Sequence, residues 1–301
     1  MTLAGLFVPL VTPFTADGAL AADALEGLAR SALEAGATGL VALGTTAETA
    51  TLSTEERGLV VDICARACRE HNAALIVGAG SNSTAASIEA LANLSPHITA
   101  ALAVVPYYTR PSEAGVLAHF RSLAAASPVP LIIYNIPYRT ARTLGIDTLC
   151  QLAEEPNIIG VKHAVGGIDD TTIELMRRCP ADFAVLAGDD LYAAPLLALG
   201  AAGGILASAN LDTAAFAALV AAWRDGPLDR ARALSHRLAA LSAAAFAEPN
   251  PTVIKAVLAA RGRIPSPAVR LPLLPASAAA TAAAVAALEY CSRVWQDDLL
   301  V

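Results

Sequence analysis

Short apolar runs recur between residues 6 and 207, and more polar, helix-forming stretches separate them. Eight runs, spaced by roughly 25 to 40 residues, have the length and composition of buried strands. They are residues 6–11, 39–43, 74–77, 100–105, 131–134, 158–162, 184–187 and 204–207. Because a run such as 158–162 is apolar almost throughout and does not alternate, it indicates a parallel sheet buried on both faces.

Helical periodicity fills the intervals between these runs. Apolar residues at spacings of three and four predict helices at 23–33, 113–125, 146–152, 171–178 and 191–199. A capping box formed by Ser53 and Glu56 begins a further helix, which we expect to continue to about Arg69. Alternating strands and helices on this scale favour a TIM (β/α)8 barrel over residues 1–225. An open doubly wound sheet is the alternative, but it usually has fewer strands.

Beyond residue 207 the strand pattern ends. Helix-like stretches follow at 214–223, 228–246, 252–260 and 276–295, interrupted by Pro249, Pro251 and the proline-rich stretch 265–275. No flexible linker separates them from the barrel. We therefore expect residues 226–301 to form a C-terminal helical segment packed on the barrel.

A lysine stands near the end of the sixth apolar run. Residues 158–164 have the sequence Ile-Ile-Gly-Val-Lys-His-Ala, and turn signals flank them on both sides. Lysine is almost never fully buried without a partner, so one interpretation of Lys162 is an amine that extends to solvent. The other is an amine whose pKa is lowered by desolvation. Such an amine is partly neutral near pH 7 and can form a Schiff base with a carbonyl compound.

Polar residues also follow other predicted strands, at the end of a TIM barrel where catalytic groups lie. They are Thr45 and Thr46 after the second strand, Tyr107 and Tyr108 after the fourth, Tyr134 and Arg139 at the fifth, and Asp189 and Asp190 after the seventh. Each has a structural interpretation when taken alone, as a cap or as packing. Together they could form a site with Lys162 as nucleophile, a tyrosine hydroxyl as proton carrier, and the arginine and threonines as carboxylate ligands.

Composition narrows the classes of function. The 301 residues are 55% hydrophobic and 16% charged, with a formal net charge of −7 and no basic run, so we expect no nucleic-acid partner. The apolar stretch 195–209 is too short to span a bilayer, and the first five residues lack the basic part of a signal peptide. Five cysteines and five histidines show no metal-ligand spacing, so we expect no metal site. These features predict a cytoplasmic protein.

Several motifs, in order and at matching spacing, resemble the dihydrodipicolinate synthase/N-acetylneuraminate lyase family of Schiff-base lyases and aldolases. They are Pro9-Leu-Val-Thr-Pro13, Gly44-Thr-Thr-Ala-Glu48, Pro106-Tyr-Tyr-Thr-Arg-Pro-Ser112, Tyr134-Asn-Ile-Pro137, Gly160-Val-Lys162, Gly188-Asp-Asp190 and Glu248-Pro-Asn-Pro251. The resemblance covers almost the whole chain. It implies a TIM barrel with a C-terminal helical segment, a homotetramer built from two tight dimers, and no cofactor.

Within the family the chain is most similar to the synthase branch, because Arg139 stands where those enzymes hold the carboxylate of aspartate semialdehyde. The resemblance implies that Lys162 forms an imine with pyruvate. The derived enamine then attacks L-aspartate 4-semialdehyde, which gives 4-hydroxy-tetrahydrodipicolinate for lysine biosynthesis.

The resemblance also implies roles for other residues. Tyr134, Thr45 and Tyr108 match the family's proton relay, with Tyr108 supplied to the site of the neighbouring subunit. Thr46 matches a ligand of the pyruvate carboxylate. The main-chain carbonyl of Ile205 matches the group that polarises the lysine–substrate region.

Five positions depart from the family pattern. Ala47 replaces a glycine and would be strained if that position required a positive φ. His163 replaces an acidic residue, Tyr138 replaces a small residue beside the arginine, and Ala141 and Leu144 lie in a stretch that usually contains glycine. These departures leave the pyruvate half of the site intact, and we expect Tyr138 to reshape the pocket for the second substrate.

Two alternatives stay open at this point. One is another pyruvate-dependent aldolase or dehydratase, acting on a 2-keto-3-deoxy sugar acid or another aldehyde, because one fold can host several such reactions. The other is a non-catalytic relative that binds small acids. The complete set of matching polar residues favours an enzyme over the second alternative.

Overall fold

The structure is a computed structural model and describes residues 3–298, with side chains described as far as residue 292. The prediction about a leader segment rests partly on Met1 and Thr2, which lie outside the described residues. The last residues of the expected C-terminal segment, 299–301, also lie outside them.

Eight parallel strands follow one another around a closed barrel, which confirms the predicted TIM barrel. The strands are β1 (Gly5–Pro9), β2 (Gly39–Ala42), β3 (Ala74–Gly78), β4 (Ala100–Val104), β5 (Leu131–Asn135), β6 (Ile158–His163), β7 (Ala184–Ala187) and β8 (Gly203–Ile205). Each predicted apolar run is a strand, and the boundaries differ by at most about two residues. The open doubly wound sheet is therefore excluded.

Helices connect the strands and continue beyond the barrel. They are α1 (Ala22–Glu34), α2 (Thr54–Glu70), α3 (Thr84–Ala92), α4 (Glu113–Ala126), α5 (Pro137–Thr140), α6 (Ile146–Ala153), α7 (Asp170–Arg178), α8 (Ala193–Ala198), α9 (Thr213–Asp225), α10 (Leu228–Ala245), α11 (Thr252–Ala260) and α12 (Ala278–Asp298). The predicted helices are confirmed, including the capping box of α2 between Ser53 and Glu56.

Two helices were not predicted, and each lacks the pattern that prediction depends on. Helix α3 is rich in alanine and buries only Ser87 and Leu91, so its sequence carries no apolar stripe. Its N-cap is Ser83, whose side chain accepts a hydrogen bond from the backbone of Ala86. Helix α5 is a single turn that begins at Pro137, a length too short to show periodicity.

The chain divides into two compact units. Within the described residues, unit one contains residues 3–5 together with Ala74–Ile205, and unit two contains Leu6–Ala73 together with residues 206–298. Within unit two, α10 packs against α9 and α12, and α11 packs against α12. The predicted boundary between residues 225 and 226 stays a prediction. Among the helices of residues 3–298, none combines the length and the hydropathy that a membrane span requires.

The closure of the barrel requires a very close approach of two backbones. The Gly5 amide donates to the carbonyl of Ala202 at 2.9 Å. At the next residue, a Cβ atom on Gly203 would lie 1.9 Å from the Gly5 carbonyl oxygen, a distance that no side chain can occupy. A residue without a side chain is therefore needed where β8 meets β1.

The same substitution at two glycines should have opposite effects. We expect Gly203→Ala to lower the free energy of unfolding by roughly 3 kcal/mol or more, because the methyl group can be accommodated only by separating β8 from β1. Gly27→Ala should raise it by about 0.5–1 kcal/mol, because this glycine lies inside α1 with nothing within 4 Å of the new methyl group. Urea unfolding of both variants tests this, and a Gly203→Ala protein as stable as the parent would contradict it.

Candidate active site

Lys162 lies inside the barrel wall at the end of β6, and only 7% of its surface is exposed. Its neighbours in register are Tyr134 on β5 and Leu186 on β7. The Nζ atom of Lys162 lies 4.4 Å from the ring centroid of Tyr134, which is itself buried. The lysine therefore does not extend into solvent, and its amine lies against an aromatic face.

Burial lowers the pKa of Lys162 to about 8, because desolvation disfavours the charged ammonium form. The carboxylates of Asp190 and Asp189 oppose this shift, whereas the positive charge of Arg139 adds to it. With a pKa of 8, about one amine in ten is neutral at pH 7, compared with fewer than one in a thousand for an ordinary lysine. The amine is therefore available as a nucleophile near neutral pH.

Two features at the end of β7 shape the surroundings of the amine. Asp190 is buried, and the Asp189 carboxylate accepts a hydrogen bond from the Gly166 amide at 2.7 Å, which ties β7 to the loop after β6. A Cβ atom on Gly188 would lie 2.7 Å from Cγ and 3.0 Å from Cε of Lys162. The absence of a side chain at Gly188 thus provides the space through which the lysine side chain runs.

His163 lies next to Lys162 in sequence but on the other face of the strand, because side chains alternate along β6. Its Nε2 atom lies 3.0 Å from the hydroxyl of Thr172 on α7, and its Nδ1 atom lies 3.5 Å from the Asn135 amide. Desolvation lowers the pKa of His163 to about 4, so the ring is neutral. The structure therefore places His163 in the packing between β6 and α7, away from the face that Lys162 shares with Tyr134.

Arg139 follows β5 on the short helix α5, beside the unusual Tyr138. The Nε atom of Arg139 donates to the Tyr138 hydroxyl at 2.9 Å. Tyr138 is 63% exposed, and partial desolvation raises the pKa of its hydroxyl. A carboxylate would therefore have to be held by the two terminal nitrogens of Arg139, which form a planar fork. The adjacent Ala141 has a φ of +53°, the conformation for which glycine is usual.

Thr45 and Thr46 lie in unit two, in a short 3₁₀ turn (Thr45–Ala47) after β2. Thr46 is buried, and its hydroxyl oxygen accepts a hydrogen bond from the side-chain amide (Nδ2) of Asn250 at 3.0 Å. Thr45 is exposed. Ala47 is not among the residues with positive φ; the left-handed residue of this turn is Glu48, with φ +53°. The strain expected for an alanine at position 47 therefore does not arise.

Two further predicted residues differ in exposure. Tyr108 is 87% exposed and has a φ of +67°, so its ring projects from the loop after β4. Ile205 ends β8 and is fully buried. The structure thus brings Lys162, Tyr134 and the carboxylates after β7 together in unit one, and it leaves Tyr108 on the surface of the chain.

Two features of the site were missed from the sequence. Nothing in the hydrophobic pattern identifies Gly188 as a neighbour of Lys162, although a glycine before paired aspartates at a strand end is a usable signal. Asn250 is separated from Thr46 by more than two hundred residues, so only the fold reveals their hydrogen bond. Among the side chains described, those of residues 3–292, no group of three histidine, cysteine or acidic residues could hold a metal ion.

A closed (β/α)8 barrel that buries a lysine against a tyrosine at the ends of its strands is typical of TIM-barrel enzymes, whose active sites lie at this end of the barrel. The profile of the Dihydrodipicolinate synthetase family matches residues 2–290. The chain therefore belongs to this family of Schiff-base lyases, which confirms the resemblance noted in its sequence.

Individual relatives agree with this assignment. The chain is 41% identical over 275 residues to the 4-hydroxy-tetrahydrodipicolinate synthase of Neisseria meningitidis serogroup B, covering 91% of this chain and 93% of that protein. It is 42% identical over 282 residues to the enzyme of the same name from Aromatoleum aromaticum, covering 92% and 94%. It matches the dihydrodipicolinate synthase of Acinetobacter baumannii, solved in complex with pyruvate, with a TM-score of 0.92, 35% identity and coverage of 97% and 99%. These names support a pyruvate-dependent activity of the dihydrodipicolinate synthase type.

A methyl group at residue 188 should displace the Lys162 side chain, and it would also lie 3.0 Å from the Cβ atom of Ala164. We expect Gly188→Ala to push the Lys162 side chain aside and to slow, at least tenfold, the imine formation with pyruvate that the sequence predicts for this lysine, because small displacements of a nucleophile are costly. Gly167→Ala is the matched control, since nothing lies within 4 Å of its new methyl group. Borohydride trapping over time measures the rate. Equal rates in the two variants would show that Gly188 does not shape the lysine's path.

Proposed function

We propose that this enzyme condenses pyruvate with L-aspartate 4-semialdehyde, through an imine on Lys162, to give 4-hydroxy-tetrahydrodipicolinate. The observation that carries the proposal is a buried amine with a pKa of about 8, held 4.4 Å from the ring of Tyr134. The names of the relatives and the pyruvate complex of the Acinetobacter enzyme support the choice of substrates.

The first half of the reaction uses the neutral amine. Lys162 attacks the carbonyl carbon of pyruvate, the carbinolamine loses water, and the imine forms. Tyr134 carries protons to and from the departing oxygen, as general acid and then base. The methyl carbon then loses a proton, and the protonated imine nitrogen takes up an electron pair as the carbon–carbon double bond of the enamine forms.

The second half forms a carbon–carbon bond and releases the enzyme. The enamine carbon attacks the aldehyde carbon of the semialdehyde, and the aldehyde oxygen takes up a proton. The amino group of the new chain then attacks the imine carbon and displaces Lys162, which closes the ring. The lysine is thus regenerated without hydrolysis of the imine.

The remaining predicted residues keep the roles that the family implies. Arg139 would hold the carboxylate of the semialdehyde, and Thr46 that of pyruvate. Thr45 and Tyr108 would complete the proton relay with Tyr134. The carbonyl of Ile205 would polarise the lysine–substrate region.

The assembly that we propose is a homotetramer of two tight dimers. An exposed Tyr108 ring on a loop with positive φ suits a residue that serves the site of a neighbouring subunit. We propose a cytoplasmic location for this assembly, as the sequence features predict.

One observation favours a second candidate function. Tyr138 stands beside Arg139 and engages its Nε atom, so the pocket for the second substrate differs from one lined by a small residue. That difference suits an aldolase or dehydratase that joins the same pyruvate enamine to another aldehyde, or acts on a 2-keto-3-deoxy sugar acid.

Lysine is so rare in this chain that trapping identifies the nucleophile directly. Only Lys162 and Lys255 are lysines among 301 residues. We expect pyruvate and borohydride to add one adduct at Lys162, and the parent to convert pyruvate and aspartate semialdehyde faster than it processes 2-keto-3-deoxy acids. Lys162→Ala should abolish both reactions. Mass spectrometry and a coupled assay measure them, and an untrapped parent enzyme would overturn the proposal.

The role proposed for Arg139 concerns only the second substrate, so its loss should affect the use of the two substrates differently. We expect Arg139→Ala to weaken use of aspartate semialdehyde by roughly 10²-fold in kcat/KM, since a bidentate carboxylate contact contributes a few kcal/mol. Trapping of pyruvate on Lys162 should be unchanged. Arg142→Ala, which removes a half-buried ion pair with Glu113, is the control and should alter neither measurement. If Arg139→Ala impaired both substrates equally, the assignment would be wrong.

A further inference from the structure

The second lysine of the chain is also buried, and it lies far from Lys162 in sequence. Lys255, on α11, pairs with Glu48 at 2.6 Å, and the two side chains are 0% and 1% exposed. The Nζ atom of Lys255 also lies 4.0 Å from the ring centroid of Phe14. All other basic side chains of the protein are arginines or histidines, so lysine is confined to two buried positions.

Arg270 completes the surroundings of the Glu48 carboxylate. Its backbone amide donates to the second carboxylate oxygen of Glu48 at 2.9 Å, so both oxygens are satisfied. Its guanidinium pairs with Glu56, lies 4.2 Å from the Phe14 ring centroid, and donates to the carbonyl of Thr51 at 2.9 Å. Buried charges persist only when they are paired and hydrogen-bonded in this way.

Glu48 connects this cluster to the turn that carries the two threonines. It has a φ of +53°, a strained conformation for a residue other than glycine, and its amide donates to the carbonyl of Thr45 at 3.2 Å. Its own carbonyl accepts hydrogen bonds from the amide and hydroxyl of Thr51. The backbone of the Thr45–Ala47 turn thus ends at a residue whose side chain is fixed by Lys255 and Arg270.

A second contact reaches the same turn from the same stretch of chain. The side-chain amide (Nδ2) of Asn250 donates to the Thr46 hydroxyl oxygen at 3.0 Å. A hydroxyl has one proton to donate and two lone pairs to accept with, so this bond leaves the Thr46 proton for another acceptor. The arrangement prepares Thr46 to donate to an anion.

We propose that Asn250, Lys255 and Arg270 form a clamp that positions the Thr45–Thr46 turn for the reaction, with Glu48 as the group they hold. The inference rests on the proposed function, which assigns the two threonines to pyruvate. The clamp residues are positioning residues: they act through the turn and do not touch the reacting atoms. Through them the C-terminal helical segment takes part in catalysis.

A contribution to the stability of the folded protein is not a sufficient reason for the buried ion pair between Lys255 and Glu48. Replacing a buried pair with apolar residues of similar size is often neutral or stabilising, whereas removing one partner is strongly destabilising. A double substitution can therefore remove both charges while the protein stays folded. That property separates a positioning role from a structural one.

The test compares Glu48→Gln/Lys255→Met with the parent, using thermal unfolding, steady-state kinetics and pyruvate trapping. In the double variant Lys162 is the only lysine, so any ε-amine adduct must lie there. We expect a folded protein with a parent-like unfolding temperature and full endpoint trapping, but kcat lower by about 10- to 100-fold, because the turn is misplaced. The control is Glu174→Gln/Arg177→Met, an exposed pair on α7, which should leave kcat unchanged.

Asn250→Ala keeps the test decisive if the double variant does not fold. It removes one hydrogen bond and no charge, and we expect the KM for pyruvate to rise about tenfold, because the Thr46 hydroxyl loses its orientation. A folded double variant with kcat and KM within twofold of the parent, or an Asn250→Ala enzyme with an unchanged KM, would overturn the clamp. Failure of pyruvate trapping in the parent itself would instead overturn the proposed function.

Discussion

The structure depends on the removal of one amine from water. A lysine at the end of a buried parallel strand loses the hydration that stabilises its charge, and the barrel provides only partial compensation. The carboxylates after β7 favour the ammonium form, yet desolvation is the largest influence and lowers the pKa of Lys162 to about 8. This balance gives a nucleophile that is protonated often enough to be stable and neutral often enough to react.

Close packing around β6 is what keeps the Lys162 amine out of water. Lys162 and Tyr134 face each other because they are partners in a parallel register, and the ring covers the amine. Glycines then allow the strand to approach its neighbour: a Cβ atom on Gly160 would lie 2.5 Å from the Ala184 carbonyl oxygen, and one on Gly188 would meet the lysine itself. Gly160 and Gly188 therefore affect the reactivity of Lys162, because they determine where its amine can lie.

Much of this could be predicted from sequence because the signals are local. Buried parallel strands are continuous apolar runs, so all eight were found, and the ordered motifs identified the family. Helix α3 was missed because alanine-rich exposed helices have no apolar stripe. The direction of a side chain at a strand end was not predicted either: His163 alternates away from Lys162 and packs on α7, which its position in the motif does not reveal.

Contacts between residues that are distant in sequence could not be predicted either. The motif around Glu48 and the one that precedes Lys255 were each recognised, but their ion pair spans more than two hundred residues and exists only in the folded chain. The strain suspected at Ala47 lies one residue further along, at Glu48, where the backbone is held by charged side chains. Sequence patterns therefore define which residues matter here, and the fold defines which of them act together.

Direct titration of the Lys162 amine tests the central claim. Because the chain has two lysines, incorporation of lysine labelled with ¹³C at Cε gives two side-chain signals, and Lys162→Met identifies which belongs to residue 162. We predict that this signal titrates with a midpoint near pH 8, so that the neutral, reactive amine increases as the pH rises through that value. A midpoint near the ordinary lysine value of about 10.4 would contradict the account.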